Sequence, residues 1–282
     1  MRFRDDLELR RRVAEEAARA AGAVHLQHRG QKLDRDVHAG ERADYTTAVD
    51  LAAQQAVRDT VARHFPHERV IGEEDKDGFA DIERTLDYGC WLTDPLDGTL
   101  EYVHGAPGFS CVVSYAEGGR PLAAAVYFAA WDELFSAAEG MGATLNGAPI
   151  RVSGQRELSV ALFATPHRST KPEDAERFGA LMAKLVPHVE AFRVPGAPST
   201  MACSVAAGRY DIFSFLSPRQ EPQPGGNPFP GQPWETCAFV LLVQEAGGAV
   251  QRFGGGAPDL LGHNAYAATP ELLEQFFAVM GE

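Results

Sequence analysis

Apolar residues recur every three or four positions near the start of the chain. Leu7, Val13, Ala17, Ala20, Ala21 and Val24 share one face, and charged residues fill the rest of the turn. The spacing predicts a first helix that gives way to a polar loop at 30–43. A second helix is expected within "ADYTTAVDLAAQQAVRDTVARHF", capped by Thr46 or Thr47 and ending near Phe65. The period then shortens. "RVIGEEDKDG" reads as a short strand followed by an acidic turn, and "YGCWLTD" as a second strand that stops at "DPLDGT". "FSCVVSYAE", "PLAAAVYFAA", "ELFSAAE" and "MGATLNGAPIRVS" predict more strands, with Asn146-Gly147 marking a hairpin. The first half is therefore expected to be two helices covering a mostly antiparallel sheet.

Beyond residue 152 helices and strands alternate. "VALFATPHR" reads as a strand, 172–185 as a helix opened by Pro172, and "STMACSVAAGRYDIFSF" as a helix stopped at Gly208 with a strand beyond it. "PWETCAFVLLVQEAGGAVQRF" predicts a helix ended by Gly247-Gly248 and a strand, "AYAAT" another strand, and 270–280 a closing helix with Pro270 in its first turn. Six prolines and three glycines at 217–233 exclude regular structure and predict a long loop just before a helix start. The fold class expected is α/β of the α+β kind, with mixed sheets. An α+β half at 1–152 would hold most of the acidic motifs. An α/β half at 153–282 would complete the site, the two forming one compact catalytic unit.

Composition narrows the function classes. The chain has 282 residues, 45% hydrophobic and 23% charged, enough for a substantial core. A net charge of −13 argues against a nucleic-acid surface, since Lys and Arg carry affinity for phosphate backbones. Neither a secretory leader nor an apolar run of membrane-spanning length stands out, so a cytoplasmic protein with no membrane partner is the expectation. Cys90, Cys111, Cys203 and Cys237 are widely spaced, with neither CxxC nor a zinc pattern, and read mainly as reduced core residues. The nine histidines show no metal-ligating spacing and read mostly as surface or turn residues. No Gly-x-Ser-x-Gly supports a serine nucleophile.

The acidic residues change the picture. Asp44 and Asp50 flank the start of the second helix, Glu73 and Glu74 follow "VI", Asp94 and Asp97 follow "CWL", and Glu235 heads a helix beside Trp234. Any one of these could be a cap or turn former. Several together at the ends of apolar elements fit a hard-cation site, because Mg²⁺ takes oxygen ligands from carboxylates and substrate phosphate. Two carboxylates as close as Asp94 and Asp97 repel unless positive charge lies between them. A helix starting at Gly98-Thr99 would offer its unpaired N–H groups and positive dipole end to a phosphate. Phosphate beside two divalent ions is a two-metal hydrolysis arrangement.

"IGEED" (71–75), "DPLDGT" (94–99), "GATLNGAPIRVS" (142–153), "GRYDIF" (208–213) and "WETCAFVLLVQEAGG" (234–248), taken together, resemble the signature segments of the inositol monophosphatase family. The resemblance covers nearly the whole chain. It implies a magnesium-dependent, lithium-sensitive phosphomonoesterase with a layered αβαβα sandwich, commonly a homodimer, acting on a small phosphorylated metabolite. Glu73, Asp94 and the carbonyl of Leu96 would hold one Mg²⁺, and Asp94, Asp97 and Glu235 a second, with Glu73 helping to hold a third. Thr99 with Asp50 would orient and deprotonate the attacking water, with Glu73 among the catalytic groups. Gly98, Thr99, Asp97 and Glu235 would line the substrate.

The chain departs from the family pattern at three places. Glu235 stands where the family usually has Asp; the related fructose bisphosphatases are similar in using Glu. A substrate-contacting Glu is replaced near Phe215, which puts inositol as the substrate in question. A Lys usual upstream of Asp44 is replaced by about Ala39. "DGTLEY" is closer to the bisphosphate nucleotidase variant of the motif, through Glu101. A sugar or polyol phosphate is therefore the expected substrate class, with 3′(2′),5′-bisphosphate nucleotidase or histidinol-phosphatase activity as alternatives. A non-catalytic metal- or phosphate-binding descendant is the remaining one.

Overall fold

The computed structural model describes residues 2–31, 36–37, 45–75, 82–166, 172–215, 232–253, 255–261 and 264–281. Asp44, Ala39 and most of the proline-rich run lie outside them. Helix α1 (Arg2–His28) leads through a two-stranded antiparallel ribbon, β1 (Asp36–Val37) and β2 (Tyr45–Thr46), into α2 (Ala48–His64). Thr47 is the N-cap of α2 and closes a capping box with Asp50, while Phe65 is the C-cap. Then come β3 (Val70–Gly72), α3 (Ile82–Tyr88), β4 (Cys90–Asp97), α4 (Thr99–Val103), β5 (Ser110–Glu117), β6 (Arg120–Phe128), β7 (Glu133–Ala138), β8 (Ala143–Leu145) and β9 (Ala148–Pro149). The second half runs β10 (Leu162–Ala164), α5 (Pro172–Leu185), β11 (Ala191–Arg193), α6 (Pro198–Ala206), β12 (Ile212–Ser214), α7 (Pro233–Glu245), β13 (Ala249–Arg252), β14 (Asn264–Ala267) and α8 (Pro270–Met280).

Two mixed sheets organise these elements, as the expected fold class requires. The larger runs β3-β4-β5-β6-β7-β8-β9, parallel between β3 and β4 and antiparallel elsewhere. The smaller runs β11-β10-β12-β14-β13, with β10 parallel to both neighbours. Strand alternation sorts side chains into separate cores. Trp91, Cys111, Val113, Tyr115, Ala123 and Ala125 face α1 and α2. Their neighbours Leu92, Val112, Val126 and Phe128 face α6 and α7, and so do Phe213 and Tyr266 of the smaller sheet. Phe163, Ile212 and Ala265 point the other way, toward α5 and α8. The layers are therefore helix, sheet, helix, sheet, helix. Helix α7 lies in the middle, buried from Pro233 to Val243. Its all-round apolar sequence suits a helix with sheets on both sides.

The strand expected to stop before the motif instead runs through it. β4 pairs with β5 at Asp94↔Val112 and again at Asp97↔Ser110, so three steps on β4 match two on β5. This is a bulge, a place where proline is tolerated because no ladder donor is needed. Asp and Pro lower strand propensity, but pairing on both flanks overrides them here. Asn146 and Gly147 turn the β8–β9 hairpin with φ of 50° and 79°, as the dipeptide predicts. All four cysteines are free and buried. Among the described residues no helix is long and apolar enough to cross a membrane.

Candidate active site

Three carboxylates meet where β4 ends. One oxygen each from Asp94, Asp97 and Glu235 lie within 4.8 Å of one another, and all three residues are buried. The bulge brings the first two together. Asp94 Oδ1 accepts the Leu96 N–H at 3.0 Å, which folds the backbone back over the carboxylate. Asp97 Oδ2 accepts the Ser199 N–H at 2.8 Å, so the first turn of α6 holds it from across the chain. Glu235 arrives on the first turn of α7, whose start is set by Pro233. The longer side chain at 235 still places its carboxylate with the two aspartates.

A fourth carboxylate stands apart from this trio. Asp50, 2% exposed, uses Oδ2 to accept both the N–H of Thr47, at 2.8 Å, and the Thr47 hydroxyl. Its Oδ1 accepts from the Thr99 hydroxyl at 3.2 Å, and that hydroxyl also lies 3.0 Å from the Leu96 carbonyl. Burial pushes the Asp50 carboxyl above its usual range, against the opposing hydrogen bonds from Thr47 and Thr99. Thr99 itself is half-buried. Gly98 makes the junction between β4 and α4 with φ of 87°. A Cβ there would lie 2.9 Å from the Gly108 carbonyl and 3.0 Å from the Ala197 Cβ, so only glycine fits.

Glu73 lies at the end of β3, beside β4, with its N–H donating to Thr93 O at 3.1 Å. Its carboxylate is outside the trio of Asp94, Asp97 and Glu235. The acidic turn that carries it is tied to α2. Asp75 accepts from Arg58 and from Gln54, at 3.2 Å in the second case, and Gln54 in turn accepts the Glu74 N–H at 3.3 Å. Asp75 thus fastens the turn, a role its place in "IGEED" did not suggest. Phe215 turns toward the core, its ring 5.3 Å from that of Phe213. His104 caps the end of α4 at the surface, its Nδ1–H donating to Leu100 O at 2.9 Å.

One histidine is an exception to the expected surface and turn positions. His25 is fully buried beneath the motif, and its Nε2 lies 2.8 Å from the Pro95 carbonyl. Ser199 and His25 both escaped sequence reasoning. Pro198 at a helix start was a signal for Ser199, since first-turn N–H groups are available to an acid. Nothing local marks His25.

The sequence profile of the inositol monophosphatase family matches residues 6–280. Inositol monophosphatase 1 of Solanum lycopersicum is 31% identical over 94% of this chain and 92% of its own length. A protein named Nus factor SuhB, from Pseudomonas aeruginosa, is 35% identical over 86% of this chain and 85% of its own. Among solved structures, an IMPase from Thermotoga maritima superposes with a TM-score of 0.79 at 26% identity, covering 98% of this chain and 97% of that one.

Proposed function

The chain belongs to the inositol monophosphatase family, and from that premise we propose that it is a Mg²⁺-dependent phosphomonoesterase acting on a small sugar or polyol phosphate. The observation that carries this reading is the convergence of Asp94, Asp97 and Glu235 within 4.8 Å, beside the Thr99–Asp50 hydrogen bond. Three buried carboxylates this close repel one another, and a hard divalent cation relieves that repulsion with the oxygen donors it prefers. The donor set therefore fits the metal. Asp94, Asp97 and Glu235 would hold it, with the Leu96 carbonyl on β4 and Glu73 after β3 as the further donors. When bound, such ions polarise the phosphoryl oxygens and neutralise charge developing on the leaving group.

The chain's own groups supply the rest. Thr99 donates its hydrogen to Asp50, which leaves its oxygen lone pairs for a water molecule at the open side. As that water attacks phosphorus its proton passes to Thr99 Oγ1 while the Thr99 proton moves to Asp50 Oδ1; the ester P–O bond breaks on the opposite side, and the departing alkoxide takes a proton from solvent and leaves as the alcohol. Burial raises the basicity of Asp50, which makes it the better acceptor. The N–H groups of Gly98 and Thr99, at the head of α4, would seat the phosphate. With Phe215 packed against Phe213 rather than presenting an acceptor, a polyhydroxylated ring loses one hydrogen-bond partner there.

Release of phosphate from inositol 1-phosphate, histidinol phosphate, 3′-phosphoadenosine 5′-phosphate and fructose 1,6-bisphosphate, with and without Mg²⁺, tests the reading. Mg²⁺-dependent turnover of at least one, abolished in Asp94→Asn, is the expected result. Turnover indifferent to Mg²⁺, or undiminished in that variant, overturns it.

A further inference from the structure

The bulge that brings Asp94 and Asp97 together leaves a carbonyl to be satisfied, and the group that satisfies it comes from α1. His25 Nε2 lies 2.8 Å from Pro95 O, and because a carbonyl only accepts, the ring carries its hydrogen on Nε2. Nδ1 is then the bare nitrogen, and it has no hydrogen-bond partner among the described residues. The same residue holds the other side of the motif through its backbone: Tyr102 of α4 donates its hydroxyl to His25 O at 2.8 Å. The ring is boxed in by aromatic neighbours, 5.7 Å from Phe109 edge-on and 6.0 Å from Tyr102, while Tyr102 and Phe109 meet at 4.9 Å. One residue of α1 thus fastens the chain at Pro95 and at Tyr102, and Leu96 to Thr99 lie between the two fastenings.

We propose that His25 is a positioning residue for the 94–99 loop, holding the Pro95 carbonyl so that Asp94 and Asp97 are presented at one point. The inference rests on the reading of that loop as the metal and phosphate site. A buried imidazole is an expensive choice where a plain apolar side chain would fill the same volume, unless its donor is used. Here the donor reaches the carbonyl of Pro95, a residue that the bulge leaves without a register partner. The box of Tyr102 and Phe109 prevents the ring from turning away.

Amide hydrogen exchange at Leu96, Asp97, Gly98 and Thr99, measured without metal or substrate, tests this directly. His25→Leu removes the donor and keeps the bulk; His25→Gln keeps an N–H at similar reach. In His25→Leu those four amides should exchange about tenfold faster than in the unaltered protein, the effect of one lost hydrogen bond. In His25→Gln they should stay within about threefold, while the amides of α5 and α8 keep their rates in both. In parallel, Mg²⁺ affinity by calorimetry should fall about tenfold in the Leu variant and recover in the Gln variant. Unchanged exchange at 96–99 in His25→Leu, or protection lost equally in both variants and throughout the sheet, overturns the proposal. Should Leu prevent folding, Tyr102→Phe removes the second fastening alone and must quicken Gly98 and Thr99. Because exchange needs neither metal nor turnover, it decides on His25 even if no substrate is hydrolysed.

Discussion

Thr99 and Asp50 are joined by a hydrogen bond of 3.2 Å between residues 49 apart in the chain. It links the first turn of α2 to the first turn of α4. Asp50 serves two purposes there: one carboxylate oxygen closes the capping box with Thr47, the other receives the Thr99 hydroxyl. Removing the hydroxyl in Thr99→Ala should lower kcat by about 10²–10⁴ with little effect on thermal stability, while Thr99→Ser retains most activity. Asp50→Asn should lose activity to a similar degree and also about 1 kcal/mol of stability through the weakened cap. Steady-state phosphate release beside urea denaturation separates the two contributions.

The carboxylate trio predicts a reversal of sign. Without metal, Asp97→Asn should raise the melting temperature, because one of three mutually repelling charges is gone. With Mg²⁺ in excess the unaltered protein should overtake it, gaining about 3 kcal/mol at a hundred times the dissociation constant. Thermal melts across a Mg²⁺ titration, run with and without a chelator, give both measurements. A variant less stable than the parent in chelator would show that the three acids are not repelling.

Gly98 and Gly118 both have positive φ but differ in surroundings. Gly118→Ala, with φ of 59° and open space around it, should cost about 1 kcal/mol from backbone conformation alone and leave activity intact. Gly98→Ala adds contacts of 2.9 Å to Gly108 O and 3.0 Å to Ala197, and should cost roughly 2–4 kcal/mol and abolish turnover. Equal losses in the two variants would place the burden on φ rather than on the crowded junction.

His25 makes stability depend on pH. Burial lowers its pKa from 6.5 to about 4, opposed by the hydrogen bond to Pro95. Near pH 7 the ring is neutral whether the chain is folded or not. As pH falls below about 6.5 the unfolded chain takes up a proton that the folded one refuses, so folding stability declines until about pH 4. At about 1.4 kcal/mol per pH unit, the drop between pH 7 and 5 is on the order of 2 kcal/mol. Urea denaturation of the parent and of His25→Gln at both pH values should show that the parent loses this much more than the variant.

Much of the fold could be read from local signals because local chemistry decides it. Thr47 caps α2, Pro172 and Pro270 open α5 and α8, and the predicted limits 172–185 and 270–280 agree with the helices. Strands β5 to β9 follow from short β-rich apolar runs and from Asn146-Gly147. What escaped was decided at long range. β4 continues through Pro95 only because β5 pairs on both sides of the bulge. The three-residue strand β11 is held by its parallel partner β10, and so few residues carry no period of their own. In the candidate site Asp94, Asp97 and Glu235 could be picked out from their places at the ends of apolar elements, whereas Glu73 lies outside the group they form. Ser199 and His25 could not be picked out, since each meets its partner across 102 and 70 residues of chain.

Helix α7 has one more consequence. From Pro233 to Val243 it is buried on every side, so it has no stable place until both sheets exist. During synthesis the larger sheet is complete before α7 leaves the ribosome, and the face carrying Leu92, Val112, Val126, Phe128 and Phe135 must wait uncovered. An uncovered apolar face of this kind is a target for aggregation and for chaperones. It is covered only when the helix bearing Glu235 slides between the sheets.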